Sequence, residues 1–300
     1  MLGAILGDII GSPYERFNHK SKDFRLFRGR SRFTDDSVMT IAVAEALTAA
    51  ESKNGAEQGD PGQDGPEQGD PEGGGLKTGC LKTGCLDDEA AVKDLLIDAM
   101  HKWGNKYPGA GYGGRFYAWL ENREREPYNS WGNGSAMRVS PAGWLGSDLM
   151  QVRQLARWSA EVTHSHPEGV KGAEAVAAAI YLARTGQTKE EIKDYITRVF
   201  GYDLDRTCDE IRPFYIFDVS CQGSVPEAII AFLEGEDFED TVRNAVSLGG
   251  DSDTIAAMAG SIAEAFFGIP DWLKEKAFSY MDEEMADVYE RFQAALGSAC

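Results

Sequence analysis

Two short acidic stretches, far apart in the chain, hold the side chains best suited to chemistry. Gly249-Gly250-Asp251-Ser252-Asp253-Thr254 places two carboxylates and two hydroxyls directly after a glycine pair, and an apolar run begins at Ile255. Thr34-Asp35-Asp36-Ser37 repeats the pattern before the apolar run that begins at Val38. Because apolar runs of this length and spacing are typical of helices, each acidic stretch is predicted to stand at the start of a buried helix.

Helix capping and metal binding are the two interpretations of these stretches. Asp, Ser and Thr are preferred N-cap residues, so a single acid is explained as a cap. A cap needs one acceptor, whereas Asp251 and Asp253 crowd one helix start, where unpaired like charges are costly. Dense oxygen ligands suit Mg²⁺, Mn²⁺ or Ca²⁺. If the two helix starts meet, four carboxylates and two threonine hydroxyls are enough for two divalent ions, which activate water as a nucleophile.

The composition predicts one compact α-helical domain. The chain has 300 residues, of which 42% are hydrophobic, and Ala- and Gly-rich helical runs recur without strand-like blocks. The formal net charge of −19 favours solubility and argues against nonspecific nucleic-acid binding, which needs Lys and Arg against phosphates. The N-terminal apolar run is broken by Asp8 and is too short for a signal peptide or a membrane span. The five cysteines form no CxxC pair, which predicts neither a zinc site nor a disulfide framework and favours the cytoplasm.

The stretches between the acidic motifs read as helices joined by polar or glycine-rich loops. A helix is predicted at about 37–50, followed by a flexible insertion at 51–75, because this repetitive segment has almost no apolar residues. Further along, Pro226 is predicted in the first turn of a helix at 224–233, where proline is tolerated. One last long helix is predicted after Pro270.

Two glycine-rich loops, each followed by a helical pattern, could offer N–H groups to a phosphate, although both are also explained as plain turns. They are Gly111-Tyr112-Gly113 and Gly132-Asn133-Gly134-Ser135. Arg138 follows the second loop and is interpreted either as a phosphate contact or as a structural arginine.

Taken together, these motifs resemble the ADP-ribosylglycohydrolase family. The matching pieces occur in the family's order and cover nearly the whole chain: residues 3–8 with 11–15, 33–37, 111–113, 132–138, Thr163-His164 and 249–254. The resemblance implies an all-α, orthogonal helical domain over residues 1–300 with a binuclear Mg²⁺ or Mn²⁺ site. Asp8 is either a residue supporting that site or a buried structural aspartate.

The resemblance also assigns roles to individual positions. The implied metal ligands are Thr34, Asp35, Asp36, Asp251, Asp253 and Thr254. The implied catalytic residues are Asp35, Asp36, Asp253 and Glu15. The implied substrate-binding residues are Gly111, Tyr112, Gly113, Gly132, Asn133, Gly134, Ser135, Met137 and His164.

The implied reaction is hydrolysis of the glycosidic bond at C1″ of ADP-ribose attached to a protein, with no nucleic-acid or membrane partner and a monomer favoured. Arginine-type members tend to carry an aspartate where this chain has Tyr112, which favours an O-linked acceptor such as serine. Free O-acetyl-ADP-ribose and poly-ADP-ribose stay open as substrates. A noncatalytic, crystallin-like relative and an ADP-ribose-binding protein without turnover are the alternatives.

Overall fold

Helices make up the regular structure of the residues that the computed structural model describes, 1–56 and 85–298. No strand occurs among these residues, which confirms the all-α prediction. The helices are α1 (Leu2–Gly11), α2 (Asp35–Ala56), α3 (Glu89–Lys106), α4 (Gly114–Glu121), α5 (Gly134–Met137), α6 (Ser140–Leu145), α7 (Leu149–Glu161), α8 (Pro167–Arg184), α9 (Lys189–Phe200), α10 (Cys208–Ile211), α11 (Cys221–Glu234), α12 (Phe238–Ser247), α13 (Ser252–Phe267), α14 (Asp271–Phe278) and α15 (Glu283–Ser298), with a 3₁₀ turn at Cys85–Asp87.

Helix α13 lies at the centre of the molecule. All of its residues from Ser252 to Ala263 are buried, and it packs against α1, α8, α11 and α12. A helix that is apolar on all sides is expected inside a core rather than at its surface. The buried side chains around α13 form one continuous hydrophobic cluster that reaches from Met1 to Phe292.

Helices α1 and α13 are in close contact along a glycine face. Gly3, Gly7 and Gly11 recur every fourth residue, so they share one side of α1. A Cβ atom at Gly7 would overlap the carbonyl oxygen of Ala256, and one at Gly3 would overlap that of Gly260. The absence of side chains on this face lets the two backbones approach. As a result Asp8, next to Gly7, lies beside the N-terminal turn of α13.

Three predicted helix boundaries differ from the structure. Helix α2 continues to Ala56, and the rest of the predicted insertion, 57–75, lies outside the described residues. Helix α11 starts at Cys221 because the Ser220 hydroxyl accepts a hydrogen bond from the Gly223 N–H at 3.0 Å, so the prediction that Pro226 occupies the first turn was wrong. The single helix predicted after Pro270 is two helices, since Asp282 caps a new start by accepting from the Met285 N–H at 2.9 Å.

Two further predictions concern cysteines and the membrane. Within the described ranges, Cys208 and Cys221 are buried free thiols. None of the helices in those ranges combines the length and the apolar character that crossing a bilayer requires.

Candidate metal centre and substrate cleft

The N-terminal turns of α2 and α13 meet beside α1, as the two acidic stretches predicted. One carboxylate oxygen from each of Asp8, Asp36 and Asp253 lies within 4.8 Å of the other two, and all three residues are buried. Asp35 and Asp251 lie in the same pocket wall. Five carboxylates are therefore gathered from three helices that are distant in sequence.

Asp8 holds the start of α2 in place. Its Oδ2 accepts hydrogen bonds from the Thr34 N–H at 2.8 Å, from the Ser37 N–H at 3.0 Å and from the Ser37 hydroxyl, and its Oδ1 accepts from the Thr34 hydroxyl at 2.7 Å. These four donors fill the hydrogen-bond acceptor sites of an ionised carboxylate. Of the two interpretations of Asp8, these hydrogen bonds favour the residue that supports the site, because they align Thr34 and Asp36.

Asp36 differs from Asp8 in having an unused oxygen. Its Oδ2 lies 3.3 Å from the hydroxyls of both Thr34 and Thr254, whereas its Oδ1 is buried without a hydrogen-bond partner. The single hydroxyl hydrogen of Thr34 is directed to Asp8 at the shorter distance of 2.7 Å, which leaves the Thr34 lone pairs free. An orphaned carboxylate oxygen beside free hydroxyl lone pairs is the donor set that a hard divalent cation binds.

Asp251 precedes α13 but does not cap it. No backbone N–H of α13 donates to its side chain, and its Oδ2 instead accepts from the Asn133 amide at 2.7 Å. The turn before it needs glycine, because Gly249 and Gly250 have φ values of +75° and +66°. A Cβ at Gly250 would also lie 2.7 Å from the Tyr215 ring. The capping interpretation of Asp251 is therefore not supported, and this carboxylate is directed towards the pocket that Asn133 shares.

The carboxylates of this cluster repel one another in a buried setting. Burial, followed by the charges of Asp8 and Asp251, raises the pKa of Asp35 to about 8. Burial and the neighbouring carboxylates also raise the pKa values of Asp36 and Asp253 well above their usual range. No Lys or Arg pairs with these aspartates within residues 1–56 and 85–298. Since buried like charges need compensation, the cluster fits a site that bound cations would neutralise.

A cleft of about 430 Å³ opens from the carboxylates and extends to His164. Gly111, Gly113 and the Gly132–Gly134 loop also line it. The Gly132–Gly134 loop is tied to the neighbouring wall, where the Asn133 N–H donates to the Val219 carbonyl at 2.8 Å. The volume falls in the range of small-molecule sites.

The end of the cleft opposite the carboxylates is aromatic and is bordered by Arg115 and Arg138. Tyr128 faces the His164 ring with centroids 5.7 Å apart. Arg138 donates to the Thr163 hydroxyl at 2.7 Å, and that hydroxyl lies 2.7 Å from His164 Nδ1. Burial, reinforced by Arg138 and Arg115, lowers the pKa of His164 well below 6.5, so the imidazole is neutral. An apolar face with one ring nitrogen available suits a flat heteroaromatic group.

The family model for ADP-ribosylglycohydrolases matches residues 1–297. The chain belongs to the ADP-ribosylglycohydrolase family. The resemblance drawn from the motifs is confirmed by this match, which runs through every motif that carried it.

Individual relatives of this ADP-ribosylglycohydrolase agree with the assignment. The ADP-ribosylhydrolase ARH3 of Mus musculus is 27% identical over 344 residues, covering 90% of this chain and 83% of the relative. The Homo sapiens ADP-ribosylhydrolase ARH3 is 25% identical, and the match covers 95% of this chain and 90% of the relative. The ADP-ribosylarginine hydrolase Tri1 of Pseudomonas putida (strain GB-1) is 27% identical over 180 residues, and this match covers 53% of this chain and 46% of the relative. A solved structure described as an ADP-ribosylglycohydrolase-related protein complex shares the fold, with a TM-score of 0.60, 21% identity and coverage of 98% of this chain and 95% of that one.

Most of the residues predicted for the site border this one cleft. They are Glu15, Thr34, Asp35, Asp36, Gly111, Gly113, Gly132, Asn133, Gly134, Met137, His164, Asp251, Asp253 and Thr254. Tyr112 and Ser135 do not border it. The Tyr112 ring packs on Phe116 at 5.4 Å, and the Ser135 hydroxyl donates to the Gly169 carbonyl at 2.7 Å.

Arg138 also borders the cleft, but its guanidinium is buried and donates to the Ser159 carbonyl and to Thr163, both at 2.7 Å. These hydrogen bonds therefore favour the interpretation of Arg138 as a structural arginine.

Several residues of the cleft wall were not predicted from the sequence. Trp131 directly precedes the second glycine loop, and this position next to a motif was the only available signal. Phe217 and Val219 come from an irregular segment without periodicity, so nothing in their spacing indicated a site. Arg16 and Arg32 lie between the motifs at 11–15 and 33–37, in a basic segment whose sequence is interpreted either as a mobile loop beside the site or as a solvated loop.

Proposed function

We propose that this ADP-ribosylglycohydrolase hydrolyses the glycosidic bond at C1″ of ADP-ribose attached to a protein, with an O-linked acceptor such as serine favoured over arginine. The observation that carries the proposal is the buried cluster of unpaired carboxylates at one end of a cleft whose other end is lined by the rings of Tyr128 and neutral His164. This polarity matches a ligand with a polyhydroxylated sugar at one end and a purine at the other.

The metal-binding part of the proposal rests on the donor set. Asp35, Asp36, Asp251 and Asp253 would hold two Mg²⁺ or Mn²⁺ ions, with Thr34 and Thr254 adding hydroxyl oxygens. When bound, such ions supply positive charge that orients the distal ribose and lowers the pKa of water. The orphaned Oδ1 of Asp36 and the raised pKa of Asp35 both fit residues whose charge is balanced by a cation.

The protein groups around the ions position the substrate and exclude water. The Gly111–Gly113 and Gly132–Gly134 loops offer backbone N–H groups to the diphosphate. Neutral His164, with its Nδ1 bonded to Thr163, and Tyr128 would hold the adenine face. These contacts fix the distal ribose so that water meets C1″ in a defined orientation, which removes much of the entropic barrier.

Proton transfer is assigned to Glu15. This half-buried residue follows α1 and borders the cleft on the carboxylate side. A carboxylate at that edge can take a proton from the attacking water and return it to the departing acceptor oxygen. The aspartates Asp35, Asp36 and Asp253 contribute by fixing charge at the reacting end.

The acceptor preference rests on the residue type at position 112, within the first glycine loop. Tyr112 brings no negative charge to meet a guanidinium, and its ring is turned onto Phe116. The relative from Pseudomonas putida is named for ADP-ribosylarginine, so an arginine-linked substrate is the direct competitor. We expect the cytoplasm as the compartment and a monomer as the active unit.

The deciding experiment compares two ADP-ribosyl peptides, one linked through serine and one through arginine, with Mg²⁺, with Mn²⁺ and with EDTA. We expect ADP-ribose release from the serine peptide that EDTA abolishes. Release from the arginine peptide alone would refute the acceptor preference. Tight binding of both peptides without any release over hours would identify a binding protein and refute the hydrolase.

A further inference from the structure

A basic segment borders the carboxylate end of the cleft. Residues 16–32 contain seven of the chain's 30 Lys and Arg residues, in a protein with a formal net charge of −19. Part of this charge serves the fold: Lys20 donates to the Tyr215 and Leu248 carbonyls, and Lys22 pairs with Asp240. Arg28 lies over the Tyr14 ring, 5.1 Å from its centroid.

Arg16 and Arg32 are the two members of the segment that line the cleft. Both are exposed, and neither guanidinium has a hydrogen bond or an ion pair within the described ranges. Exposed arginines on an acidic protein commonly find a carboxylate partner, as Arg125 does with Asp94 and Asp98. Two unpaired guanidinium groups at the mouth of one cleft are therefore available to a ligand.

Their place in the chain fixes which end of the cleft they face. Arg16 follows Glu15, and the Arg32 N–H donates to the Ser12 hydroxyl at 3.2 Å, two residues before Thr34. Both thus lie at the carboxylate end. The aromatic end has its own arginine, Arg115, which lies over the Tyr128 ring at 5.1 Å.

The electrostatic balance at this end depends on the proposed function, on which this inference rests. Two divalent ions would balance the four aspartates that hold them. Asp8, the fifth carboxylate, is buried with its four hydrogen-bond donors and does not line the cleft. The charges that remain at the mouth are then Glu15 against Arg16 and Arg32, so the rim is positive where the acceptor chain must lie. A positive rim attracts acidic side chains and repels a cationic acceptor.

We propose that Arg16 and Arg32 bind acidic side chains that flank the modified residue of the ADP-ribosylated protein. The partner is a protein segment with Asp or Glu next to an O-linked ADP-ribose. Arginine-linked acceptors in basic segments are disfavoured by the same two charges.

The test uses two serine-linked ADP-ribosyl peptides that differ only in having Glu or Gln at the flanking positions. The native protein should prefer the Glu peptide in kcat/KM by about fivefold, which is the upper size expected of exposed ion pairs. The double variant Arg16→Gln/Arg32→Gln should bring this ratio close to one. Arg30→Gln is the matched control, because Arg30 is exposed in the same segment but does not line the cleft. It should retain the native ratio.

Peptide binding, followed by fluorescence anisotropy, and inhibition by free ADP-ribose complete the design. Binding should show the same Glu preference, weakened by salt as for exposed charges. Equal losses on both peptides and on ADP-ribose in the double variant would place the arginines against the diphosphate and overturn the proposal. A native ratio of one in both kcat/KM and binding would also overturn it. Absence of turnover with a Glu preference retained in binding would refute the hydrolase alone.

Discussion

Replacing Asp253 with asparagine separates the two interpretations of the acidic stretches. Asp253 is buried, and its Oδ1 accepts from the Thr254 N–H at 3.0 Å, a hydrogen bond that an asparagine oxygen also makes. The shape of the side chain and this contact are kept, and only the charge is lost. Its carboxylate is one of three whose oxygens lie within 4.8 Å of one another, so the change removes an anionic ligand from the centre of the cluster.

The expected magnitudes follow from ligand linkage and from charge stabilisation. At a metal concentration one hundred times Kd, the native protein gains about 2.7 kcal/mol in free energy of unfolding for each ion bound. For a chain of this length that corresponds to a rise of about 4 °C in Tm. Asp253→Asn should lose this rise. In EDTA its Tm should equal or exceed that of the native protein, because one of several mutually repelling buried carboxylates is gone. Hydrolysis should fall by about 10² to 10³, the effect of losing about 3–4 kcal/mol of charge stabilisation.

Differential scanning calorimetry with and without Mn²⁺, paired with the serine-peptide assay, measures both quantities. Asp237→Asn serves as the control, since Asp237 is an exposed cap that accepts from the Asp240 N–H at 2.8 Å and asparagine caps equally well. It should keep the metal-dependent rise and full activity. A folded Asp253→Asn protein that still shows the rise and turns over at the native rate would refute the metal assignment.

Three further results are expected. Replacing residues 57–75 with a short Gly/Ser linker should leave kcat/KM within about twofold, because this composition contributes little apolar surface to a core; a large loss in a folded protein would contradict this. Gly7→Ala should lower the free energy of unfolding in urea by about 1–3 kcal/mol, since its Cβ would overlap α13, whereas Gly29→Ala, with open space around it, should change little. The folded-state pKa of His164 is depressed, so its contribution to stability is present above pH 6.5 and is lost as the pH falls below that value. As the pH falls below 6.5, the free energy of unfolding of the native protein should therefore decrease relative to that of His164→Gln. A difference between the two proteins that does not change with pH would show that His164 does not contribute.

The parts of the site that follow from local patterns were predictable from the sequence, and the parts that depend on distant contacts were not. Asp36 and Asp253 stand immediately before apolar runs, so their spacing alone indicated crowded carboxylates at helix starts. The role of Asp8 stayed open because its donors, Thr34 and Ser37, reach it only through the packing of α1. The start of α11 was misplaced because a cap by Ser220 outweighed the usual position of a helical proline.

The wall of the cleft was harder to foresee than its acidic end. Phe217 and Val219 border it from a segment with no helical or strand period, where neither propensity nor spacing carries information. Tyr112 lies inside a motif, yet its ring faces Phe116 because an aromatic partner was available within the next turn. Motif membership identifies a loop more reliably than it identifies which side chain of the loop reaches the ligand.

The close contact between α1 and α13 has a consequence for how the protein is made. Helix α1 is synthesised well before α13 and is buried along its whole length, but its partner is complete only at Phe267. At about 5–20 residues per second, the ribosome leaves this apolar segment without its partner for roughly 13–50 s. During that interval α1 is a target for chaperones, and the carboxylates of Asp8 and Asp36 stay in water, where they repel each other weakly. The proposed metal centre is therefore complete only after α13 has been made, and nascent chains truncated before α13 should be protease-sensitive throughout α1.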